Sequence, residues 1–464
     1  MCQQEVRRVE RKGSAFSTDP PSPTSVTKSS KERIVSWGEL SLHNTVEDSW
    51  IAIKGRVYDV TNFAKFHPGG DILFTASGLD ATDVFAGFHN LTDAWKLLPP
   101  LLVGTLEDAN NPPLPNVDPQ YVQDIVEMRK QISALKLYDS SKLYYAYKIA
   151  SNVALCSLSV AIVMYSGSWP AIAIAAFIMA LFWQQCGWLA HDFLHHQVFN
   201  RRYINNLFGL LIGNIFQGFS VGWWKTKHNH HHAVPNVTDA PSGGDPDIAT
   251  TPILFWSEKL IEGELEDLPL WMLRNQAVLY VPILCFARIS WLVQSIQHNI
   301  PKPNPNITSK VMYYSEIATL FVHHSLFFAL VVKVGMMYSV PKALSYMMMS
   351  HAWGGILLGV VFAVGHNAMD VLTLEEMREV DFIRLQVRTT RNVDPNWFTD
   401  WLCGGLNYQV EHHIFPSVPR HHLWKLARIL RAFCDKHNIS YTSKTLADGN
   451  KDVCQILQDV SKAA

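Results

Sequence analysis

The sequence predicts an α+β N-terminal domain followed by an all-α polytopic membrane domain with four transmembrane helices and a cytosolic helical cap. Three observations predict it. Trp50-Ile-Ala-Ile-Lys-Gly-Arg-Val-Tyr58 reads as strand, turn, strand in the first part of the chain. Long apolar runs then come in two pairs, each pair broken in the middle by turn-forming or charged residues. Three histidine clusters lie beside those runs: His191-Asp-Phe-Leu-His195-His196, His228-Asn-His-His231-His232 and Gln409-Val-Glu-His412-His413. Together they offer enough imidazoles for two metal ions.

The bulk numbers fit this division. At 464 residues the chain has room for about three average domains. Apolar residues make up 48% and charged residues 17%, and the apolar ones are concentrated after Lys148, so a polar front precedes a membrane-embedded back. The net charge of −1, with basic residues scattered rather than gathered in a stripe, argues against a nucleic-acid partner. The seven cysteines show no paired metal-ligand spacing and read as reduced, mostly buried side chains.

Residues 1–33 are polar, without the apolar core of a cleaved signal peptide, and are expected to form a disordered tail. The pattern is globular over 34–108, linker-like over 109–140 after a Pro- and Asn-rich start, membrane-embedded over 141–445, and a C-terminal tail over 446–464.

No charged residue occurs between Lys148 and His191, and Gly167-Ser-Trp-Pro170 breaks that stretch, so it predicts a helical hairpin crossing at about 149–166 and 169–189. A second hairpin is expected at about 317–336 and 343–366, the apolar block being broken around Lys333, Pro341 and Lys342. An even number of crossings puts both termini and all three clusters on one face of the bilayer, which is the only arrangement in which the histidines can converge. The apolar runs 203–224 and 275–298 carry Asn205, Asn206, Asn214, Gln217 or Arg288 and are read as interfacial helices. Four Asn-x-Ser/Thr triplets, starting at Asn90, Asn236, Asn306 and Asn438, fall on the cytosolic side and are expected to be unmodified.

Phe66-His67-Pro-Gly-Gly70-Asp71 follows the strand pair, and His89 ends Ala81-Thr-Asp-Val-Phe85-Ala-Gly-Phe-His89. Two histidines so spaced can bind one haem iron from opposite sides, with the Pro-Gly-Gly turn supplying the tight backbone that holds one imidazole at an apolar pocket. The stretch from Trp50 to His89 closely resembles the haem-binding domain of cytochrome b5. That resemblance implies haem b, with His67 and His89 as axial ligands, and transfer of single electrons, because a bis-histidine iron has no open position for oxygen.

On a helix, residues three and four apart share a face, so His228, His231 and His232 fall in one arc, as do Gln409, His412 and His413. His191 and His195 share a face while His196 points away, and His366, where the last crossing ends, can add a ligand from the side. Imidazole alone does not select among zinc, iron, copper and nickel. His230, His323, His324, His351, His421 and His422 are read as ordinary capping, packed or solvated side chains.

The three clusters resemble the histidine boxes of membrane fatty-acyl desaturases. An N-terminal cytochrome b5 domain, together with Gln409 in place of a first histidine in the third box, resembles the front-end members of that family. The likeness includes Phe182-Trp-Gln-Gln-Cys-Gly-Trp-Leu-Ala-His191, Gly244-Asp-Pro-Asp-Ile248 and Gly404-Gly-Leu-Asn-Tyr-Gln-Val-Glu-His412-His413; His230 is a small departure. It implies a helical cap holding two Fe ions that use oxygen and two electrons to place a cis double bond in an acyl chain. It also implies His191, His195, His196, His228, His231, His232, Gln409, His412 and His413 as ligands, with His366 a further candidate. Asp192 and Glu411 are placed to orient imidazoles.

Tyr138-Asp-Ser-Ser and the 182–199 segment look closest to Δ6 acyl desaturases acting on linoleate and α-linolenate, with Δ5 or Δ8 acyl and sphingolipid Δ8 desaturases as the alternative. The implied partners are membrane lipid, a fatty acyl lipid or acyl-CoA substrate, and an NADH-cytochrome b5 reductase meeting Asp71, Asp80 and Asp83. The implied location is the endoplasmic reticulum membrane. Hydroxylation by the same metals, a metal-handling transporter and a plain electron carrier are the competing classes. The transporter predicts charges inside the crossings, which are nearly free of them, and the carrier needs only one anchor.

Overall fold

The computed structural model describes residues 33–89, 93–301, 304 and 308–462. The expected tail over 1–33, Arg33 excepted, lies outside the described residues, as do Cys2, Asn90 and Asn306.

The N-terminal domain is built on a four-stranded sheet of β1 (Ile34–Val35), β2 (Trp50–Ile53), β3 (Arg56–Asp59) and β4 (Leu102–Leu106), in the order β1-β4-β3-β2. The β2–β3 hairpin closes at Ile53–Arg56 through Lys54 (φ 49°) and Gly55 (φ 71°), the left-handed pair that a two-residue loop between right-twisting strands requires. Helices α1 (Trp37–Leu42) and α2 (Thr82–His89) cover the sheet. Alternation along β2 buries both faces, with Trp50 and Ala52 packing beside Val35 and Leu40, and Ile51 and Ile53 beside Tyr58, Leu73 and Phe85.

The segment 109–140, expected as a linker, contains α3 (Pro119–Ala134). Asp118 caps its first turn through Tyr121 N (2.7 Å), and Pro119 occupies the position where no N–H is needed. Tyr121, Ile125, Met128 and Ile132 form a buried stripe against the helix Leu423–Lys436. The polar residues between them mask that stripe in the sequence.

The two expected hairpins are α4 (Lys142–Tyr165) with α5 (Trp169–Leu194), and α10 (Lys310–Met337) with α11 (Val340–His366); all four are long and apolar enough to cross a membrane. Ser141, Ser168 and Ser309 accept the first-turn N–H of α4, α5 and α10. Helix α5 is the axis of the bundle: 72% of its apolar window is buried, against 17% in α4 and 22% in α10. Phe321, Leu326 and Phe328 of α10 are exposed, as a lipid-facing surface requires.

Between the hairpins, the two runs read as interfacial helices are bent pairs. Helix α6 (Arg202–Gly209) continues as a π-helical stretch to Gln217, turns at Gly218 (φ 93°), and meets α7 (Val221–Ala233) at 104°. Helices α8 (Asp267–Leu284) and α9 (Ala287–Asn299) meet at 79°, just past Pro282. The chain leaves the histidines at His195 and returns to them at His228, within the same ligand-sized group, so α6 and α7 begin and end at one level.

The cap follows α11. It comprises α12 (Leu374–Arg378), α13 (Phe382–Thr389), α14 (Trp397–Leu402), α15 (Gln409–Ile414), α16 (Leu423–Lys436) and α17 (Leu446–Lys462), with Asn392–Val393 (β5) paired to Ser443–Lys444 (β6). The expected C-terminal tail, 446–464, is therefore mostly helix. Val453, Leu457 and Val460 of α17 are buried at i, i+4 and i+7 against α8 and α11. Arg391 adds an ion pair to Asp452 and a hydrogen bond to Gly449 O (2.7 Å).

Candidate haem and metal sites

His67 sits in the turn before the 3₁₀ segment Gly70–Ala76, and His89 ends α2. Their ring centroids are 6.0 Å apart with planes at 50°, a gap that takes one metal with a bond of about 2 Å on each side. The His89 Nδ1 donates to Phe85 O (3.0 Å), which turns Nε2 toward the gap. Burial lowers the pKa of His67 to about 4 and that of His89 to about 3, so both imidazoles stay neutral and free to coordinate. A Cβ on Gly69 would stand 2.7 Å from Ile72 Cγ2 and 3.1 Å from His67 Cε1, so the first glycine of the Pro-Gly-Gly turn is set by close approach to the ligand ring.

The three clusters and His366 converge on the cap side of the bundle. His191, His195, His228, His232 and His412 form one group and His231, His366 and His413 a second; within each group the ligand atoms lie within 4.8 Å of one another and every residue is buried. His191 Nε2 faces His412 Nε2 at 2.9 Å, His228 Nε2 faces His232 Nε2 at 3.0 Å, and His231 Nε2 faces His366 Nε2 at 3.3 Å. Two nitrogens about 2.1 Å from a common metal and at right angles to each other lie about 3 Å apart, so these spacings suit metal coordination. Gln409 Nε2 stands 2.9 Å from His366 Nε2 and 3.4 Å from His413 Nε2, which brings its amide to the second group. Among the described residues, His195 Nε2 and Gln409 Oε1 are buried without a hydrogen-bond partner, a cost that a bound metal removes.

His196, expected among the ligands, stands outside both groups. Helix α5 ends at Leu194, and His196 takes a left-handed backbone (φ 59°) that carries its ring away. The histidines read as ordinary are elsewhere: His230 contacts Gly243 O, His323 contacts Ile215 O and Arg288, His351 contacts Arg288, and His421 accepts from Ser141 N.

A ring of supporting groups fixes the imidazoles. His231 Nδ1 donates to Asp245 (2.9 Å), His413 Nδ1 to Gln386 Oε1 (2.9 Å), and His366 Nδ1 to Thr389 O (3.2 Å), which leaves each Nε2 facing inward. Asn236 is fully buried and donates to His366 O (2.8 Å), a position that leaves no room for a glycan. Asp192 lies 3.5 Å from His191 Nδ1 and is anchored by Arg420 and by Tyr145 OH (2.9 Å). Glu411, expected to orient an imidazole, makes no hydrogen bond to one among the described residues. It faces off the ligand arc of α15 and accepts from Asn392 (2.8 Å) and Tyr441 (2.7 Å), so it ties the cap together instead.

Sequence reasoning gave no role to Asp245, Gln386 or Asn236. Asp245 had a signal, an acid on each side of Pro246 in a polar loop, whereas Gln386 on the buried side of α13 had none.

Comparison with known proteins agrees with this geometry. Residues 36–107 match the family described as cytochrome b5-like heme/steroid binding domain, and residues 167–445 match fatty acid desaturase. An acyl-lipid (9-3)-desaturase of Physcomitrium patens is 38% identical over 98% of this chain and 85% of its own length. A Delta(8)-fatty-acid desaturase of Helianthus annuus is 30% identical, covering 92% of this chain and 91% of its own. A Delta(5) fatty acid desaturase of Caenorhabditis elegans is 31% identical, covering 85% and 91%. The b5-type domain implies haem, and the desaturase domain with its histidine groups implies a di-iron centre. With a front-end architecture and relatives that share nearly its whole length, the chain belongs to the fatty acid desaturase family, and is a cytochrome b5-fused, oxygen-dependent oxidoreductase of that family.

Proposed function

We propose that this front-end desaturase places a cis double bond at Δ6 of linoleoyl and α-linolenoyl chains. The observation that carries the desaturase reading is the convergence of five and three imidazoles with the Gln409 amide, beside a bis-histidine pocket. The name (9-3) of the 38% identical relative is compatible with a bond three carbons from one at carbon 9, and its acyl-lipid wording favours a lipid-linked chain over acyl-CoA. A Δ5 or Δ8 position is the competing reading, favoured by the names of the two other relatives.

When bound, the iron pair supplies, with O2, the oxidising power needed to break an unactivated C–H bond, which zinc lacks. The chain's own residues prepare the site. Asp245, Gln386 and Thr389 O hold the Nδ1 atoms, so that His231, His413 and His366 present Nε2 and cannot rotate away. The Trp224 ring lies 4.3 Å from that of His228 and 5.5 Å from those of His191 and His195, an apolar wall that keeps water from one side of the site. Residues His191, His195, His228, His231, His232, His366, Gln409, His412 and His413 are assigned to iron and His67 and His89 to haem; His196 is left out.

Electrons reach the haem from an NADH-cytochrome b5 reductase. Asp83 is engaged with Arg129 (2.9 Å) and Asp80 with Thr82 N (2.8 Å), which leaves Asp71 as the acidic contact for that partner. The protein lies in the endoplasmic reticulum membrane with four crossings, both termini and the histidine groups on the cytosolic side. The return of the chain from His195 to His228 supports four crossings rather than six.

The test is expression in a host lacking polyunsaturates, feeding of linoleate, and mapping of double bonds in the recovered lipids. A new bond at carbon 6 is expected. A bond at carbon 5 or 8, or an altered sphingoid base with fatty acids untouched, rejects the Δ6 assignment, and an inserted oxygen atom rejects desaturation itself.

A further inference from the structure

One aromatic ring of the N-terminal domain reaches the candidate metal ligands. Phe88 is the residue before the haem-ligand candidate His89, and its ring centroid lies 6.2 Å from that of His232 with the planes at 83°, an edge-to-face pair. His232 is fully buried within the five-imidazole group. A side chain touching the metal group and a side chain facing the haem gap are thus carried by neighbouring residues.

Helix α2 is seated for this contact. A Cβ on the buried Gly87 would stand 3.5 Å from Ile414 O and 3.7 Å from Pro416 Cδ, in the stretch that directly follows His412 and His413. Arg129 pairs with Asp83 of α2 (2.9 Å) and lies over the Phe415 ring (5.3 Å), which clamps the helix to the same stretch. Phe85 stacks on His89 at 4.4 Å but meets Trp95 of its own domain.

We propose that Phe88 is the bridge by which single electrons pass from the haem to the iron pair, a role that rests on the desaturase reading above. Tunnelling falls steeply with distance and favours bonded and contacting atoms over gaps, and the route through His89, one peptide unit, the Phe88 ring and His232 contains a single through-space step. Each transfer turns ferrous haem to ferric and reduces the iron pair by one electron. Two transfers serve one turnover, with O2 as final oxidant and the nicotinamide-linked reductase restoring the ferrous haem.

The test follows haem reoxidation by stopped flow in the full-length, haem- and iron-loaded protein, held in phosphatidylcholine nanodiscs bearing linoleoyl chains. The haem is reduced with dithionite, and the protein is then mixed with O2. Phe88→Leu is expected to slow reoxidation by at least an order of magnitude and Phe88→Tyr to keep it near wild type, with the Soret spectrum, haem potential and hydrogen exchange of residues 82–89 unchanged. Wild-type speed in Phe88→Leu overturns the bridge. Slowing accompanied by loss of exchange protection in α2, or equal slowing in Phe88→Tyr, overturns it in favour of a docking role. If wild-type reoxidation does not depend on the loaded iron, the desaturase reading itself fails, before any variant is compared.

Discussion

His191 and His412 stand 221 positions apart in the chain and meet Nε2 to Nε2 at 2.9 Å. The first closes α5 and the second belongs to α15, so the metal group exists only when the cap is seated on the bundle. His191→Ala is expected to lower bound iron and abolish desaturation. His196→Ala, outside both groups, is expected to retain iron and most activity. Iron per haem in the purified variants, with product yield, separates the two; loss of iron in His196→Ala contradicts the assignment.

Gln386 accepts from His413 Nδ1 and donates to His232 O (3.0 Å), so one amide steadies two cluster residues. Gln386→Ala should cost about 10–100-fold in metal affinity or activity, the usual effect of losing such a support. Iron titration of the stripped protein measures it, and an unchanged affinity contradicts it.

Gly69 leaves its missing Cβ 3.1 Å from His67 Cε1 and 2.7 Å from Ile72 Cγ2. Gly69→Val is expected to displace the His67 ring and weaken haem retention while leaving the non-haem iron near two per chain, the number implied for a di-iron centre. Soret absorbance against iron content checks this in one sample.

Leu457 of α17 is fully buried against the bundle. Leu457→Ala should destabilise the protein by about 2–5 kcal/mol, the cost of a cavity at a packed apolar site. Thermal unfolding in detergent reads the change, and no shift would mean that α17 is dispensable.

Chelation of iron should abolish desaturation without bleaching the haem. Activity should return with ferrous iron and not with zinc, which fills imidazole sites but has no redox chemistry. Recovery with zinc would remove iron from the mechanism.

Much of this was legible in the residues. Apolar runs on either side of Gly167 and Pro341 predicted both hairpins; the first helix of each starts about two turns earlier, at Lys142 and Lys310, where a charge can reach the interface. The Pro-Gly-Gly turn identified the haem pocket for a local reason, the absence of a Cβ against His67. Helices α3 and α17 were missed because amphipathic stripes mixed with polar residues resemble linker and tail until the surface they cover is known.

By itself the sequence determined the two domains, the apolar hairpins and the histidine clusters that later meet, because hydrophobic period, turn residues and i, i+3, i+4 spacing are local properties of the chain. Only the tertiary structure decided that His196 turns away, that Glu411 serves the cap, that Asp245 and Gln386 orient imidazoles, and that Phe88 reaches His232. Each of those depends on which distant segment arrives beside a side chain, and long-range packing sets that while local spacing carries no record of it.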